Sequence, residues 1–449
     1  MTKAYRTLFA GTLVQESFLS LGGTDDPWTT VDSPFCRDGL GRPTLRGSAI
    51  AGALVATLRR LRGTVPAEVS GAVAGRFPSV WRTFHSHPDK EAFALRQHVA
   101  IDFETGAAAE KALYNVETLP PGTRWPFLLE VNTHRFEEGR CLALEALAEW
   151  QCGRCWLGRE VARGLGWLRL EELTEYALTD EHVDLWPNAY FDGDDWHSYL
   201  HKMHKTFGSI TSITVPQPKS PSPARHILDL SGTLIVGERE GDGYGLDSLS
   251  IGGHAADDLA LAWDTRFLAP EGEHSPGERF DPDRGIAMLR EPDGEGWKPY
   301  IPGSSLRGSL RHALRRWMRQ AHGDVGMVDK VFGTTENSAR LLIRDLLPLE
   351  NEEFRLAWLQ QHAEDEFAGA TFGSHLFNRV AVMQGAFSWR MVLEADSAEE
   401  LRRYYECALR PLFDLAEDGQ IGLGGGQWRS HGWVRWTFDT ALPRWESAA

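Results

Sequence analysis

Two short segments of the chain combine groups that can bind phosphate. Residues 43–53 read PTLRGSAIAGA, residues 299–311 read PYIPGSSLRGSLR, and arginines follow in both cases. Glycine lets the backbone approach a ligand closely, serine favours a helix start, and the free N–H groups at a helix N-terminus attract anions. A single copy would be typical of an ordinary solvated helix face. Because the phrase occurs twice, it indicates recognition of a phosphate backbone.

The arginines are clustered, although the net charge of the chain is −16. Residues 37–62 hold six arginines and one acidic residue, and residues 307–319 hold five arginines and no acidic residue. In the second segment arginines recur every four residues from Arg307 to Arg319, which places them on one face of a predicted helix. Local basic clusters of this kind permit phosphate contacts in an acidic chain. The predicted RNA contacts at the two helix starts are Arg42, Arg46, Ser48, Ser304, Ser305, Arg307, Arg311 and Arg315.

Two glycine-rich turns form a second repeated pair. They read GREVARGLGW at residues 158–167 and GLGGGQWRSHGW at residues 422–433. Glycines ahead of an arginine and a tryptophan-bearing strand permit close approach to a nucleic acid strand and supply rings for base stacking. Hairpin turns need glycine too, so the argument depends on the placement of both turns after a second helix. The predicted RNA contacts here are Gly164, Gly166, Gly424, Gly425, Gly426 and Arg429.

Other chemically capable groups are weaker candidates. His197, His201 and His204 share one face of a predicted helix, and this spacing can bind a metal. A solvated helix before a linker is the better interpretation. Cys152 and Cys155 form a close cysteine pair without a second pair that would complete a zinc site, so we interpret them as plain thiols. We predict no protein metal centre from these groups.

The elements that must position these residues occur in the same order in two halves. With 449 residues and 42% hydrophobic content the chain can bury more than one core. Each half is predicted to contain a strand, a helix, further strands, a second helix and a last strand, and VPQPKSPSPARH lies between the halves. Internal duplication explains this order. The order is that of the ferredoxin-like plan, an antiparallel sheet covered by two helices, and predicts an α+β fold class.

The predicted domains are residues 1–175, a linker at 176–225 with a short helix and a Pro/Ser-rich stretch, and residues 226–449. The sequence has no apolar run of membrane-spanning length and no cationic, apolar leader. We therefore expect a cytoplasmic protein with no membrane contact.

Five segments together resemble the RAMP superfamily, specifically the backbone subunits of type III CRISPR effector complexes. They read GRPTLRGSAIAGAL, PYIPGSSLRGSLRHALR, VFGTTENSARLLIRD, HVAIDFETGAAAEKALYNVETLPPGTRW and GLGGGQWRSHGWVRW. The similarity covers nearly the whole chain outside residues 175–225. The chain looks like a tandem fusion of two such subunits, that is, two ferredoxin-like (RRM-like) domains with an inserted linker.

The resemblance implies a protein that lies along a CRISPR RNA and displaces bases with a hairpin thumb. In catalytic members an aspartate between a Gly-Gly turn and the Gly/Ser helix start cuts target RNA beside a displaced base. That pattern falls on Asp32 in VDSP and, less closely, on Asp264, which Thr265 and Arg266 follow in place of Ser-Pro. Because RNA supplies its own 2′-hydroxyl nucleophile, one carboxylate that takes a proton or holds a divalent ion, expected to be Mg²⁺, is sufficient.

The implied function is a CRISPR RNA-binding subunit that assembles with other type III CRISPR subunits and cuts bound target RNA. Two alternatives stay open. The chain can be a structural subunit without cleavage, with Asp32 as a turn-forming residue in a favourable DSP sequence. It can also be an endoribonuclease that processes precursor CRISPR RNA through a residue near the glycine-rich turn, such as His431.

Overall fold

Strands and helices follow one another in the same order in the two halves of the chain. The computed structural model describes residues 5–23, 31–71, 78–102, 108–179, 212–215, 226–237, 249, 251, 287–290, 297–321, 323–364, 371–427, 431–439 and 442–443. Its helices are α1 (Gly47–Arg62), α2 (Ala67–Ser70), α3 (Gly139–Gln151), α4 (Gly303–Gln320), α5 (Gly326–Phe332), α6 (Ala398–Tyr404) and α7 (Arg410–Glu417), with a π-helical turn (Tyr405–Leu409) between the last two. Its strands are β1 (Arg6–Gln15), β2 (Trp81–Thr83), β3 (Ala94–Ile101), β4 (Ala108–Thr118), β5 (Arg124–Val131), β6 (Cys155–Trp156), β7 (Trp167–Leu178), β8 (Ser212–Thr214), β9 (Ile227–Val236), β10 (Met288–Arg290), β11 (Trp297–Pro299), β12 (Leu341–Ile343), β13 (Leu347–Pro348), β14 (Arg355–Glu364), β15 (Thr371–Glu394) and β16 (Arg435–Phe438).

The chain divides into two compact units whose boundaries interleave along the sequence. Unit 1 consists of Met1–Ala94, Glu117–Val161 and Leu165–Arg225. Unit 2 consists of Leu95–Val116, Ala162–Gly164 and His226–Ala449. Two short segments from the first half of the chain therefore belong to unit 2.

Unit 1 contains an antiparallel sheet with the strand order β2-β5-β1-β7-β6, and β8 pairs with β7. Helices α1 and α3 cover it. In α1 the apolar residues Ile50, Leu54, Leu58 and Leu61 recur at helical spacing and are buried, which is why this segment is an amphipathic helix. They pack in a core with the fully buried Trp125 and others. Each such side chain contributes roughly 1.5–3 kcal/mol to folding by leaving water.

Unit 2 repeats the plan with the strand order β12-β15-β9-β16, and β13 and β14 also pair with β15. Helix α4 buries Leu306, Leu310 and Leu314. The second helical layer is α6, the π-helical turn and α7. Trp389 and Phe413 lie in this core, with ring centroids 6.2 Å apart.

The duplication holds at the level of single backbone contacts. Leu45, just before α1, forms an antiparallel bridge with Ser86, and Ile301, just before α4, forms one with Leu346. In both units the strand order corresponds to second, third, first and fourth strand of a ferredoxin-like domain. The predicted α+β fold with two tandem ferredoxin-like domains is confirmed.

In both halves of the sequence a strand pair lies between the second and third sheet strands. β3 and β4 form a separate two-stranded sheet, and β14 pairs with the first part of the long strand β15. Within the range predicted as a linker, β8 is a sheet strand of unit 1. Among the described helices, none has the length and apolar character needed to span a membrane.

Candidate nucleic-acid interface and cleavage loop

Asp32 lies exposed on a loop between β1 and α1. Hydrogen bonds from one strand anchor the residues that follow it. The backbone N–H of Glu117 in β4 donates to the carbonyl oxygen of Ser33 at 3.0 Å, and the Glu117 carboxylate accepts from the backbone N–H of Phe35 at 2.7 Å. A carboxylate on this loop therefore reaches solvent from a fixed backbone.

Arg159, in the glycine-rich turn, lies beside the same loop. Its Nη1 donates to the Ser33 hydroxyl at 2.9 Å, and its backbone N–H donates to the carbonyl oxygen of Ser20 at 3.0 Å. The guanidinium lies where any side chain at Gly22 would have to be. The sequence analysis did not select Arg159, although its place in the turn at residues 158–167 was a usable signal.

Five predicted positions lie outside the described residues. They include the second candidate catalytic residue, a predicted RNA contact and the weaker histidine cluster. Their roles stay predictions. These positions are Asp264, Arg429, His197, His201 and His204.

At the start of α1, the predicted contacts Arg46 and Ser48 are exposed. The first helical N–H, of Gly47, donates to Nδ1 of His85 at 3.2 Å. Arg42 is engaged with a neighbouring acid, since its Nε donates to the carboxylate of Asp38 at 2.9 Å. Arg46 is thus the cation of this group that projects at the helix start.

At the start of α4, the equivalent first N–H has an internal anionic partner. The N–H of Gly303 donates to Oδ1 of Asp345 at 2.7 Å. Asp345 is wholly buried and accepts two further hydrogen bonds from the guanidinium of Arg96, at 2.7 and 2.9 Å. Ser304 and Ser305 are half-buried beside it. The sequence predicted that the N–H groups at this helix start bind phosphate, but the first of them is already hydrogen-bonded within the protein.

Arg307 on α4 is half-buried, and its guanidinium donates to the backbone carbonyl oxygens of Phe332 and Leu341. Burial, together with the nearby cations Arg163 and Arg311, lowers the pKa of Arg307 to about 10. Burial is the main cause of this shift, and the two nearby cations add to it. Such a cluster favours an anionic ligand.

Asp329 lies close to two further arginines of α4. Nη2 of Arg311 lies 2.8 Å from the carboxylate of Asp329 in α5, and Nη2 of Arg315 lies 3.8 Å from the same oxygen. Burial, and then the charges of Arg316, Arg315 and Arg311, lower the pKa of the neighbouring His312. The helix therefore retains positive potential beyond its ion pairs.

The two glycine-rich turns, at residues 157–167 and 423–433, share backbone features among their described residues. A Cβ at Gly166 would overlap the carbonyl oxygen of Leu157, and a Cβ at Gly432 would overlap that of Leu423. Gly424 and Gly426 have φ of +73° and +82°. Turn geometry by itself therefore requires several of these glycines, and contact of Gly424, Gly425 and Gly426 with RNA stays a prediction.

The first glycine-rich turn also contributes to unit 2. Gly164 has φ +109°, and a Cβ there would overlap the carboxylate of Asp345. Next to it, Arg163 is exposed and donates to the hydroxyl of Tyr114 in β4 at 3.0 Å. Equal turn lengths place Arg163 at the position of Arg429, which the sequence analysis selected. Arg163 is thus a candidate that the sequence pattern contained but the prediction omitted.

The cysteines form no cluster. All five have free thiols, and burial raises the pKa of the Cys155 thiol well above its usual range. A buried thiol with a raised pKa is unreactive, which agrees with the interpretation of Cys155 as a plain thiol. Across the described part of the chain, no group of three or more His, Cys, Asp or Glu side chains could hold a metal ion.

Two ferredoxin-like units that carry basic helix starts and glycine-rich turns define an RRM-like class of RNA-binding architecture. The family model of the RAMP superfamily matches residues 86–169 and 246–435, which is more than half of the chain. The chain belongs to the RAMP superfamily. This membership indicates a CRISPR-associated role with RNA and other Cas subunits as partners. A comparison with curated protein sequences gave no significant match.

Proposed function

We propose that this chain is a CRISPR RNA-binding backbone subunit of a type III interference complex and that it cuts bound target RNA at the Asp32 loop. RAMP membership supports the RNA-binding part. The observation that carries the cleavage part is the exposed carboxylate of Asp32 on a loop anchored through Ser33 and Phe35. A loop fixed in this way can hold a reactive group in one place relative to a bound strand.

The chemistry needs little from the protein because the target ribose carries the nucleophile. Asp32 would accept the proton of the 2′-hydroxyl, and the RNA surface would hold the ribose in line with its phosphate. The surfaces available for holding the backbone are the start of α1 with Arg46 and the cluster of Arg163, Arg307 and Arg311. The half-buried Arg307 acts mainly by keeping this cluster positive.

The proposal includes a divalent ion, for which Asp32 offers a single carboxylate. Mg²⁺ is commonly held by one or two carboxylates together with substrate phosphates, so one protein ligand is compatible with an ion that arrives with the RNA. When bound, the ion would stabilise negative charge on the phosphate. The proton transfer and the positioning remain tasks of the protein side chains.

The test uses the assembled complex with its CRISPR RNA, a matching target RNA and Mg²⁺. We expect Asp32→Ala to slow one cut by about 10²-fold or more, which is the usual contribution of a general base. Target affinity should change little, because a carboxylate that faces a phosphate contributes no attraction. Asp89→Ala is the matched control, since Asp89 is another exposed acid of unit 1.

An unchanged set of products from Asp32→Ala would refute the cleavage role and leave an RNA-binding scaffold. Cleavage of repeat RNA by the isolated protein would instead support the processing alternative.

A further inference from the structure

We propose that Arg159 positions the scissile phosphate beside Asp32 and neutralises the charge that develops on it, and that only unit 1 has this arrangement. The inference rests on the proposed function, because it assigns a second residue to the same loop. The assignment begins from the bond between Nη1 of Arg159 and the hydroxyl of Ser33, the residue next to Asp32.

The reaction develops negative charge that a carboxylate does not stabilise. The ribose 2′-oxygen forms a bond to phosphorus, the bond from phosphorus to the 5′-oxygen breaks, and the 2′-hydroxyl proton goes to Asp32. The leaving 5′-oxygen takes a proton from water, so the products are a 2′,3′-cyclic phosphate and a 5′-hydroxyl. Negative charge grows on the non-bridging oxygens during attack, and a fixed guanidinium stabilises such charge well.

The geometry of Arg159 suits this task. Its backbone N–H is tied to Ser20 and one side-chain nitrogen to Ser33, so the guanidinium has a fixed place. A guanidinium has five N–H donors, and the remaining ones are available to a phosphate. The side chain is exposed, and Gly22 leaves the space beside it open for the guanidinium.

The ion pairing of Arg159 also differs from that of neighbouring arginines. Nη2 of Arg37 lies 2.5 Å from the carboxylate of Glu117, and Nη2 of Arg42 lies 2.9 Å from that of Asp38. Within the described ranges, no carboxylate forms an ion pair with Arg159. An arginine beside the loop with no carboxylate partner among the described residues is the kind of group that binds phosphate.

The duplication supplies an internal comparison. Gly158 and Gly424 occupy the same place in the two turns, with φ of +84° and +73°. The residue after Gly158 is Arg159, and the residue after Gly424 is Gly425. Unit 2 therefore has no side chain at the equivalent position. If the guanidinium is needed, unit 2 should not cut, because its turn has glycine at this position.

The experiment measures single-turnover cleavage by the assembled complex with Arg159→Ala, Arg159→Lys and Asp32→Ala. We expect Arg159→Ala to slow the cut of unit 1 by about 10²–10³-fold, as for loss of one donor to a developing oxyanion. Arg159→Lys should retain an intermediate rate, because it keeps the charge but not the fork of donors. Added guanidinium ion should partly restore Arg159→Ala. Asp264→Ala should remove no product.

Arg135→Ala is the matched control, since Arg135 is an exposed arginine of unit 1 that contacts the carbonyl oxygen of Pro78. It should cut at the unaltered rate and show no response to guanidinium ion. The RNA content and the unfolding transition of each complex show whether a variant has lost its fold. If Arg159→Ala does not assemble, the cleavage rate of the folded Arg159→Lys complex tests the inference.

The outcomes separate the two proposals. If Asp32→Ala stops the cut and both Arg159 variants cut normally, the inference about Arg159 is wrong and the proposed function stands. If Asp32→Ala cuts normally, the proposed function fails and the inference fails with it. Loss of an Asp264-dependent product would refute the restriction to unit 1.

Discussion

Asp345→Ala is expected to destabilise unit 2 far more than a matched change destabilises unit 1. Asp345 is wholly buried, accepts two hydrogen bonds from the buried Arg96 and accepts one from Gly303 at the start of α4. Removal of the carboxylate leaves the Arg96 guanidinium, which is 5% exposed, without its counter-ion. Breaking a buried pair in this way costs about 3–5 kcal/mol.

The duplication provides the matched control. His85 accepts the hydrogen bond from Gly47 at the start of α1, as Asp345 does from Gly303 in unit 2. His85 is exposed, so loss of this single hydrogen bond in His85→Ala should cost about 0.5–1.5 kcal/mol. The expected difference between the two variants is therefore about 2–4 kcal/mol.

The assay is urea unfolding combined with hydrogen exchange, because a chain of two units need not unfold in one step. Asp345→Ala should lower the midpoint of the transition that exposes α4 and should speed exchange in β3 and at the helix start. The double variant Arg96→Met, Asp345→Leu should recover much of the loss, since apolar replacements of buried pairs are often neutral. Equal losses for Asp345→Ala and His85→Ala would refute this reasoning.

Two further predictions concern the basic surface of unit 2. Because burial and the α4 arginines hold the pKa of His312 below its usual value of about 6.5, against an opposite effect of Asp102, unfolding takes up a proton as the pH falls through about 6.5. The contribution of His312 to the free energy of unfolding is complete above that pH and is lost below it. The urea midpoint of His312→Gln should therefore fall less between about pH 7.5 and pH 5.5 than that of the unaltered chain. Equal falls would contradict the lowered pKa of His312. Arg163→Ala should weaken RNA binding similarly for all sequences and reduce the slope of log affinity against log salt by about 0.7, as expected for one single-strand phosphate contact. RNA titrations at several salt concentrations measure this slope. An unchanged slope would show that Arg163 does not contact the RNA.

The sheet and the helices could be predicted because their residues alternate between buried and exposed sides. Helix α4 shows this clearly, since Leu306, Leu310 and Leu314 are buried where the spacing requires. The hairpin strand β3 could not be read in the same way. Leu95, Val99 and Ile101 are 39%, 48% and 47% exposed, whereas the polar Arg96 and His98 of the same strand are buried. The hydrophobic pattern of this strand therefore marks the wrong face.

The candidate site could also be predicted only in part. Repeated phrases led to the helix starts and turns, because repetition is visible in sequence. The partner of Asp345 was not visible, since Arg96 lies 249 residues away in the chain and no motif links the two residues. The sequence also treated the start of α4 as open to phosphate, because nothing local indicates that a distant carboxylate accepts its first N–H.

The interleaved units have a consequence for how the chain can be divided. The linker between the halves is the obvious place to cut, but Arg96 precedes it and Asp345 follows it. A fragment that starts at residue 226 would keep the buried carboxylate and lose its cation, along with Gly164 and Arg163 of the first turn. Two products made by cutting the chain at this linker would therefore leave unit 2 incomplete, because two of its segments would stay on the first product.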